Sequence, residues 1–414
     1  MKKLLLILLC LPMIGFTQSF INSYGEFWED NYGFASQQTS DGGYILLSLN
    51  EDTTTWSDYT ELIKTDNSGN IIWEKTFQDI DGSFVVQTND GGFVITGDSG
   101  YAISFLKTDS NGNLVWKKDY LGNIAENWTN EIIQTYDGGY IVTGKSRDLG
   151  FGNDLFLFKV DNNGDSLWCK SYFAETEGYS LYETNDNGIV VTGCNTDLNW
   201  SFILKTDSYG DTIWSKIINN QNFVAGLSIE ESLDSGFILA GTKRNLSTFT
   251  RDLFYLKTNN LGDTIWVKSF ENNSVMHSIN QTTDGGFILV GAKEWDPNTS
   301  VPSKLWLIKT NNIGDTLWTQ TFNNHTLGTT VCQTTDGGYI ISGMNNINGS
   351  KNASLIKTDG NGNITSTFNI QTPSSNRKLI KTVDILGKQT KLKTNTPFIE
   401  IYDDGTVEKR IVIE

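Results

Sequence analysis

Proline is scarce in this chain, 5 of 414 residues against 40 glycines. Many tight turns with so little proline suit hairpin-rich antiparallel sheet better than helix. Histidine is scarcer still, at two, and no Gly-x-Ser-x-Gly, His-Glu-x-x-His or phosphate loop occurs. Nucleophilic and zinc-assisted hydrolysis therefore have no support in the motifs. Positive charge is short as well: the formal net charge is −17. A chain this acidic repels nucleic-acid phosphates and anionic lipid headgroups, which argues against nucleic acid as a partner. Charged residues are only 19% and hydrophobic ones 38%, too apolar a balance for general disorder. No apolar run reaches the roughly 20 residues that a membrane span needs.

The longest such run, Leu4 to Phe16, follows Lys2 and Lys3 and ends at Gly15-Phe16-Thr17. Residues 1–17 read as a secretory signal peptide, with the mature chain starting near Gln18. Cys10 stands behind Leu8 and Leu9, where a lipoprotein acceptor would follow a small residue. Three cysteines remain beyond the leader: Cys169, Cys194 and Cys332. Their odd number and their separate repeats predict free, mostly buried thiols.

What the chain does have is repetition. Asp-Gly-Gly-aromatic recurs at Asp41, Asp90, Asp137, Asp284 and Asp336, with degenerate copies at Asp186 and Asp234. The spacing averages about 49 residues. Each copy is followed by Lys-Thr-Asp-x-x-Gly-Asp/Asn-x-x-Trp or a variant of it, with its Gly at 69, 112, 164, 210, 262, 314 and 362. Each unit reads as four strands, here called A to D. In the third they run from Glu131, Tyr140, Asp154 and Ser166. Asp-Gly joins A to B as a tight hairpin, and Asp-x-x-Gly joins C to D with a left-handed Gly. Seven such units predict an all-β, seven-bladed β-propeller over residues 18–369. The seventh has Ser366 in place of Trp, while Phe20 to Tyr24 resembles the start of a D strand. The N-terminal segment is expected to complete the last blade, Phe20 replacing Trp. The alternative is that 363–368 supplies that strand alone.

The Asp-x-x-Gly-x-x-x-Trp element resembles the tryptophan-docking motif of quinoprotein-type (PQQ-like) repeats, with Trp73, Trp116, Trp168, Trp214, Trp266 and Trp318 at the docking position. The resemblance spans residues 34–368 and implies Trp packed between blades. The ligand constellation of the quinone-dependent enzymes is absent, so no cofactor is implied. Residues 370–414 leave the repeat through a linker at 371–376. Asp384-Ile-Leu-Gly387 and Tyr402-Asp-Asp-Gly-Thr-Val-Glu-Lys409 together resemble the C-terminal half of a type A sorting domain of the type IX secretion pathway. The Tyr-Pro-Asn-Pro opening of that family is missing. The resemblance implies passage through the outer membrane and a secreted or cell-surface destination. An accessory hairpin is the alternative reading.

Candidate chemistry is thin. His277 and His325 fall at comparable places in consecutive repeats, without the acid or Cys cluster that a metal site needs. Asp161 to Asp165 resembles a calcium loop, yet every repeat carries such a loop with Asn freely replacing Asp, which favours turn chemistry. Gln38, Gln87, Gln134, Glu183, Glu231, Gln281 and Gln333 share one register near the axis, where inter-blade hydrogen bonding explains them. The A–B and C–D turns, on one rim, are nearly uniform. The D–A and B–C connections on the opposite rim vary and bear Trp28, Trp56, Trp128 and Trp295 with acids such as Glu51, Asp52, Glu126, Glu177 and Glu294. Variable loops on a rigid scaffold carry function, and aromatics beside carboxylates suit a glycan or protein ligand. The expectation is a non-enzymatic binding or adhesion module with no catalytic or metal-ligating residues. The alternatives are a glycan-cleaving hydrolase or lyase and Trp that merely cover their own blades.

Overall fold

The computed structural model describes residues 19–24, 29–52, 57–120, 127–147, 153–195, 200–218, 223–244, 250–270, 273–294, 303–323, 325–347 and 350–364. In the tail it describes 378–384, 388–389, 397–402 and 407–411. Residues 1–17, 371–376 and 403–405, read from the sequence as a signal peptide, a linker and a turn, lie outside these. Two compact units are present, Met1–Thr365 and Ser366–Glu414. The second contains one antiparallel sheet of Leu379–Asp384, Pro397–Tyr402 and Val407–Ile411.

The first unit is a seven-bladed β-propeller of four-stranded antiparallel sheets, with no helix among the described residues. Six blades are continuous in sequence: 29–77, 81–120, 127–172, 177–218, 223–270 and 275–322. The seventh joins the three strands of 325–358 to Phe20–Tyr24. Strand C is buried along its length, as Asp154–Val160 shows at every position, because sheets cover both its faces. There is no single central core. Seven apolar clusters instead straddle consecutive blades, for example Leu47 and Leu62 against Val85 and Phe93, or Leu355 and Ile340 against Leu46 and Ile63.

Two glycines at each A–B turn are needed for different reasons. The first has φ near +80°, as at Gly42 and Gly91, with open space around it. Asn187 and Ser235 therefore substitute for it at φ 60° and 62°. At the second, a Cβ on Gly43 would stand 2.1 Å from the Thr65 carbonyl and 2.6 Å from Lys64 Nζ. That glycine is present in all seven copies, including the two degenerate ones.

The C–D turn glycine serves the blade interface. Trp73 lies against Gly112, where a Cβ would approach its ring to 2.7 Å, and meets Phe93 edge-on. The other five docking Trp repeat this on Gly164, Gly210, Gly262, Gly314 and Gly362. These rings are half-buried, where the tryptophan pattern predicts burial between blades. The docked edge is covered, and the rest of the indole lies on the outer strand facing solvent. At the seventh interface Phe20 lies against Gly69 and packs edge-on to Tyr44 at 5.7 Å. Asn22 and Tyr24 both donate to the Gly69 carbonyl, at 2.7 and 3.0 Å. Phe20 pairs with Lys357 and Tyr24 with Ala353. The outer position of the last blade thus belongs to the N-terminal strand, not to 363–368.

Candidate functional site

On the rim of A–B and C–D turns, the repeated polar residues are consumed by the scaffold. The Gln/Glu register forms a closed ring in which each side-chain oxygen accepts the turn amide of the preceding blade. Gln87 takes Ser40, Gln134 takes Asn89, Glu183 takes Tyr136, Glu231 takes Asn185, Gln281 takes Leu233 and Gln333 takes Thr283. Gln38 takes Thr335 at 2.8 Å and closes the circle. The turn Asp has a partner that the sequence did not announce. Lys64, Lys107, Lys159, Lys205, Lys257, Lys309 and Lys357 are buried, each paired with the Asp of its own blade. Partial burial opposes ionisation of Asp41. Hydrogen bonds from Thr39, Lys64 and the Gly43 amide outweigh it and hold the carboxyl down to about 2.

The calcium-like loops are turns of the same economy. Asp161 Oδ1 accepts the amides of Asn163 and Asp165, at 2.8 and 2.7 Å. Asn259 Oδ1 does this for Leu261 and Asp263, both at 2.9 Å. One neutral oxygen is enough, so Asp and Asn interchange. Among the described residues no group of three or more His, Cys, Asp or Glu is placed to hold a metal ion.

The channel along the axis is different. Every inner strand carries one bulged residue at the same register: Phe34, Ser83, Asn130, Tyr179, Leu227, His277 and Thr329. A bulge leaves one residue out of the ladder and re-aims its side chain. All seven line a cavity of about 620 Å³ at the centre of the ring, on the side where strand A enters from the variable connections. A repeat that is uniform elsewhere thus presents seven chemically unequal groups here. The same cavity is lined by Glu131, Glu230, Tyr182, Asn280 and Cys332. Enclosure pushes the carboxyls of Glu131 and Glu230 up to about 7, against the hydrogen bonds they accept. It pushes the Cys332 thiol up to about 12 and holds His277 down to about 4, so that both are neutral. His277 and His325 do not occupy equivalent positions, contrary to the sequence spacing. Thr329 is the counterpart of His277, whereas His325 is buried at the start of its strand with Nδ1 unpartnered.

On the variable rim, Trp128 is the proposed ligand contact that the structure describes; Trp28, Trp56, Trp295 and Glu126 lie outside the described residues, as do the side chains of Glu51 and Asp52. Trp128 is half-buried, with Lys145 Nζ 4.5 Å and Arg147 5.6 Å from its ring. Lys145 bridges to Glu177 at 3.0 Å, and Asn130 donates to Glu177 at 3.0 Å. Asp98 completes the cluster. Burial pushes it up to about 8 despite the Thr129 amide, with the Asp81 and Glu177 charges adding to the rise. Glu294 pairs with Lys304. Trp200, which the sequence reading passed over, packs edge-on against Phe173 and Phe202 and so covers its own blade. The three cysteines are free thiols.

No protein-family model matches the sequence, and no curated protein does. Solved structures share the fold. A structure of streptogramin B lyase aligns at 13% identity over 82% of this chain and 98% of its own, with a TM-score of 0.53. Sqt1 from Chaetomium thermophilum aligns at 10% identity over 95% and 100%, TM-score 0.53. The Dos1 propeller aligns at 11% over 78% and 77%, TM-score 0.51. At such identities the likeness is one of architecture only.

Proposed function

We propose that this protein is an exported, non-enzymatic binding or adhesion module whose working face is the variable rim. The observation that carries the reading is the division of chemistry between the two rims. On one, the repeated Asp, Lys and Gln are tied into the scaffold in every blade. On the other, the connections differ in sequence from blade to blade, and Trp128, Lys145, Glu177 and Asp98 form a polar aromatic cluster of the kind that stacks on and hydrogen-bonds a glycan or anchors a protein. Delivery belongs to the same reading: a leader at 1–17 for the inner membrane and a type IX sorting tail for the outer. The scaffold is read as quinoprotein-type repeats used without a quinone. A glycan array probed with the full chain and its Trp128→Ala variant tests the binding claim. Defined glycans retained by the full chain and lost by the variant support it; an empty array from a folded chain opposes it.

A glycan-cleaving enzyme is the competing reading, and one observation favours it. Asp98, held protonated near neutrality, shares its site with the Glu177 carboxylate, the pairing of acid and base that glycoside cleavage uses. Release of new sugar ends from an array-positive polysaccharide would establish it, and intact polysaccharide would leave the binding module.

A further inference from the structure

The seven repeats act as internal controls for what the channel residues need to be. Strand A has an open edge toward the axis, and its amides are capped by the preceding blade. The hydroxyls of Ser180, Ser228, Ser278 and Thr330 accept the amides of Ile229, Ile279, Val331 and Ser36, at 3.1, 3.2, 3.4 and 3.1 Å. Glu131 stands at the same register and does this for Leu181 at 2.8 Å. Two residues further along, Gln37 accepts the Gln87 amide at 3.0 Å, and Glu230 accepts that of Gln281. A neutral oxygen therefore meets the structural need at both registers. The negative charge of Glu131 and Glu230 is surplus to the fold, and a carboxylate half-buried in the channel without a counter-charge is costly.

Hydrogen bonds from the Leu181 amide and the Ser180 hydroxyl at Glu131, and from the Gln281 amide at Glu230, are all that offsets that charge; no cation does. No Lys or Arg is among the residues lining it, and His277 is held neutral. The two carboxyls sense each other, and both raise the Cys332 thiol, so they face one space. His277 lines the same cavity. The described acids, His and Cys do not converge on a single ion. The cavity, at about 620 Å³, is far larger than a bare ion, and its lining also includes Phe34, Ile133 and Leu227.

We infer that the channel binds an aliphatic organic cation, an amine or diamine whose ammonium groups meet Glu131 and Glu230 while its hydrocarbon lies against the apolar wall. His277 accepts a further ammonium hydrogen. The site is independent of the rim: a chain that binds no glycan still has it. Isothermal titration of the full chain with putrescine, n-butylamine and 1,4-butanediol tests the inference at neutral pH. Saturable putrescine binding is expected, weaker for butylamine and absent for the diol, and reduced at least tenfold by Glu230→Gln and by Glu131→Gln. Both variants keep the acceptor oxygen that the neighbouring amide needs, as Gln37 shows, and should melt near the parent temperature. Asp109→Asn, on the outer turn, should leave binding unchanged. The inference is overturned by diol binding as tight as putrescine, by the absence of amine binding, or by equal losses in the Asp109 and Glu230 variants, which would mean attraction to the acidic surface. If a Gln variant fails to fold, the ranking of the three compounds on the parent chain still decides.

Discussion

A buried Lys paired with an exposed Asp makes the two partners unequal. Lys107 is 5% exposed in its side chain and Asp90 66%. Removing the acid strands a cation in the wall of the blade, whereas removing the cation returns the acid to water. Asp90→Ala should therefore cost about 1–3 kcal/mol and Lys107→Met well under that, as urea unfolding would measure. The acids also set the pH response. Asp41, Asp90, Asp186 and Asp234 are held down to about 2 from an ordinary 3.8, so their contribution is complete above that value and is lost as pH falls toward 2. Glu131 and Glu230 are pushed up to about 7 from 4.5, so the folded state keeps protons the unfolded chain releases, and this contribution fades as pH rises through 7. Melting temperature should peak between about pH 4 and 5. Replacing both glutamates by Gln should flatten the decline toward neutrality, and an unchanged profile would remove them as its source.

At the scale of strands and turns, most of the fold was legible because the repeat states each signal seven times. The Asp-Gly hairpins, the Asp-x-x-Gly turns and the continuous apolar C strands are local signals, and each was found where it was read. Phe20 was legible as the seventh docking residue because its blade lacked a Trp. Burial was less so: how far an indole sinks depends on the neighbouring blade, which local sequence does not contain. With half-buried rings, Trp214→Ala should cost about 2–3 kcal/mol, below the roughly 3–5 of a fully buried aromatic. Deleting residues 18–25 uncovers the strand Ser350–Thr358 and removes the Phe20 contact with Gly69, so the melting temperature should fall. A truncated chain that melts with the parent would deny the N-terminal strand its closing role.

For the molecule as a whole, the candidate site was the least legible part. The bulged residues were invisible to pattern reading, since a bulge is a register slip against a partner strand and leaves no mark on one strand alone. Glu131 and Glu230 drew no notice because they fall among Ser, Thr and Gln that do the same structural work. The variable rim was legible as variation, although Trp128 proves to lie under Lys145 and Arg147 rather than bare. The proposed export by a type IX sorting tail makes its own prediction: removing residues 377–414 should leave a folded propeller in the periplasm, and surface delivery of the shortened chain would refute the sorting role. The central claim, that one rim builds the molecule and the other recognises a ligand, is tested most directly by comparing glycan or partner affinity across matched substitutions. Trp128→Ala should weaken binding by about 1–2 kcal/mol or more with little change in melting temperature, while Asn67→Ala and Ser110→Ala on the uniform rim leave affinity intact. Affinity lost on the uniform rim and kept in the Trp128 variant would contradict the account.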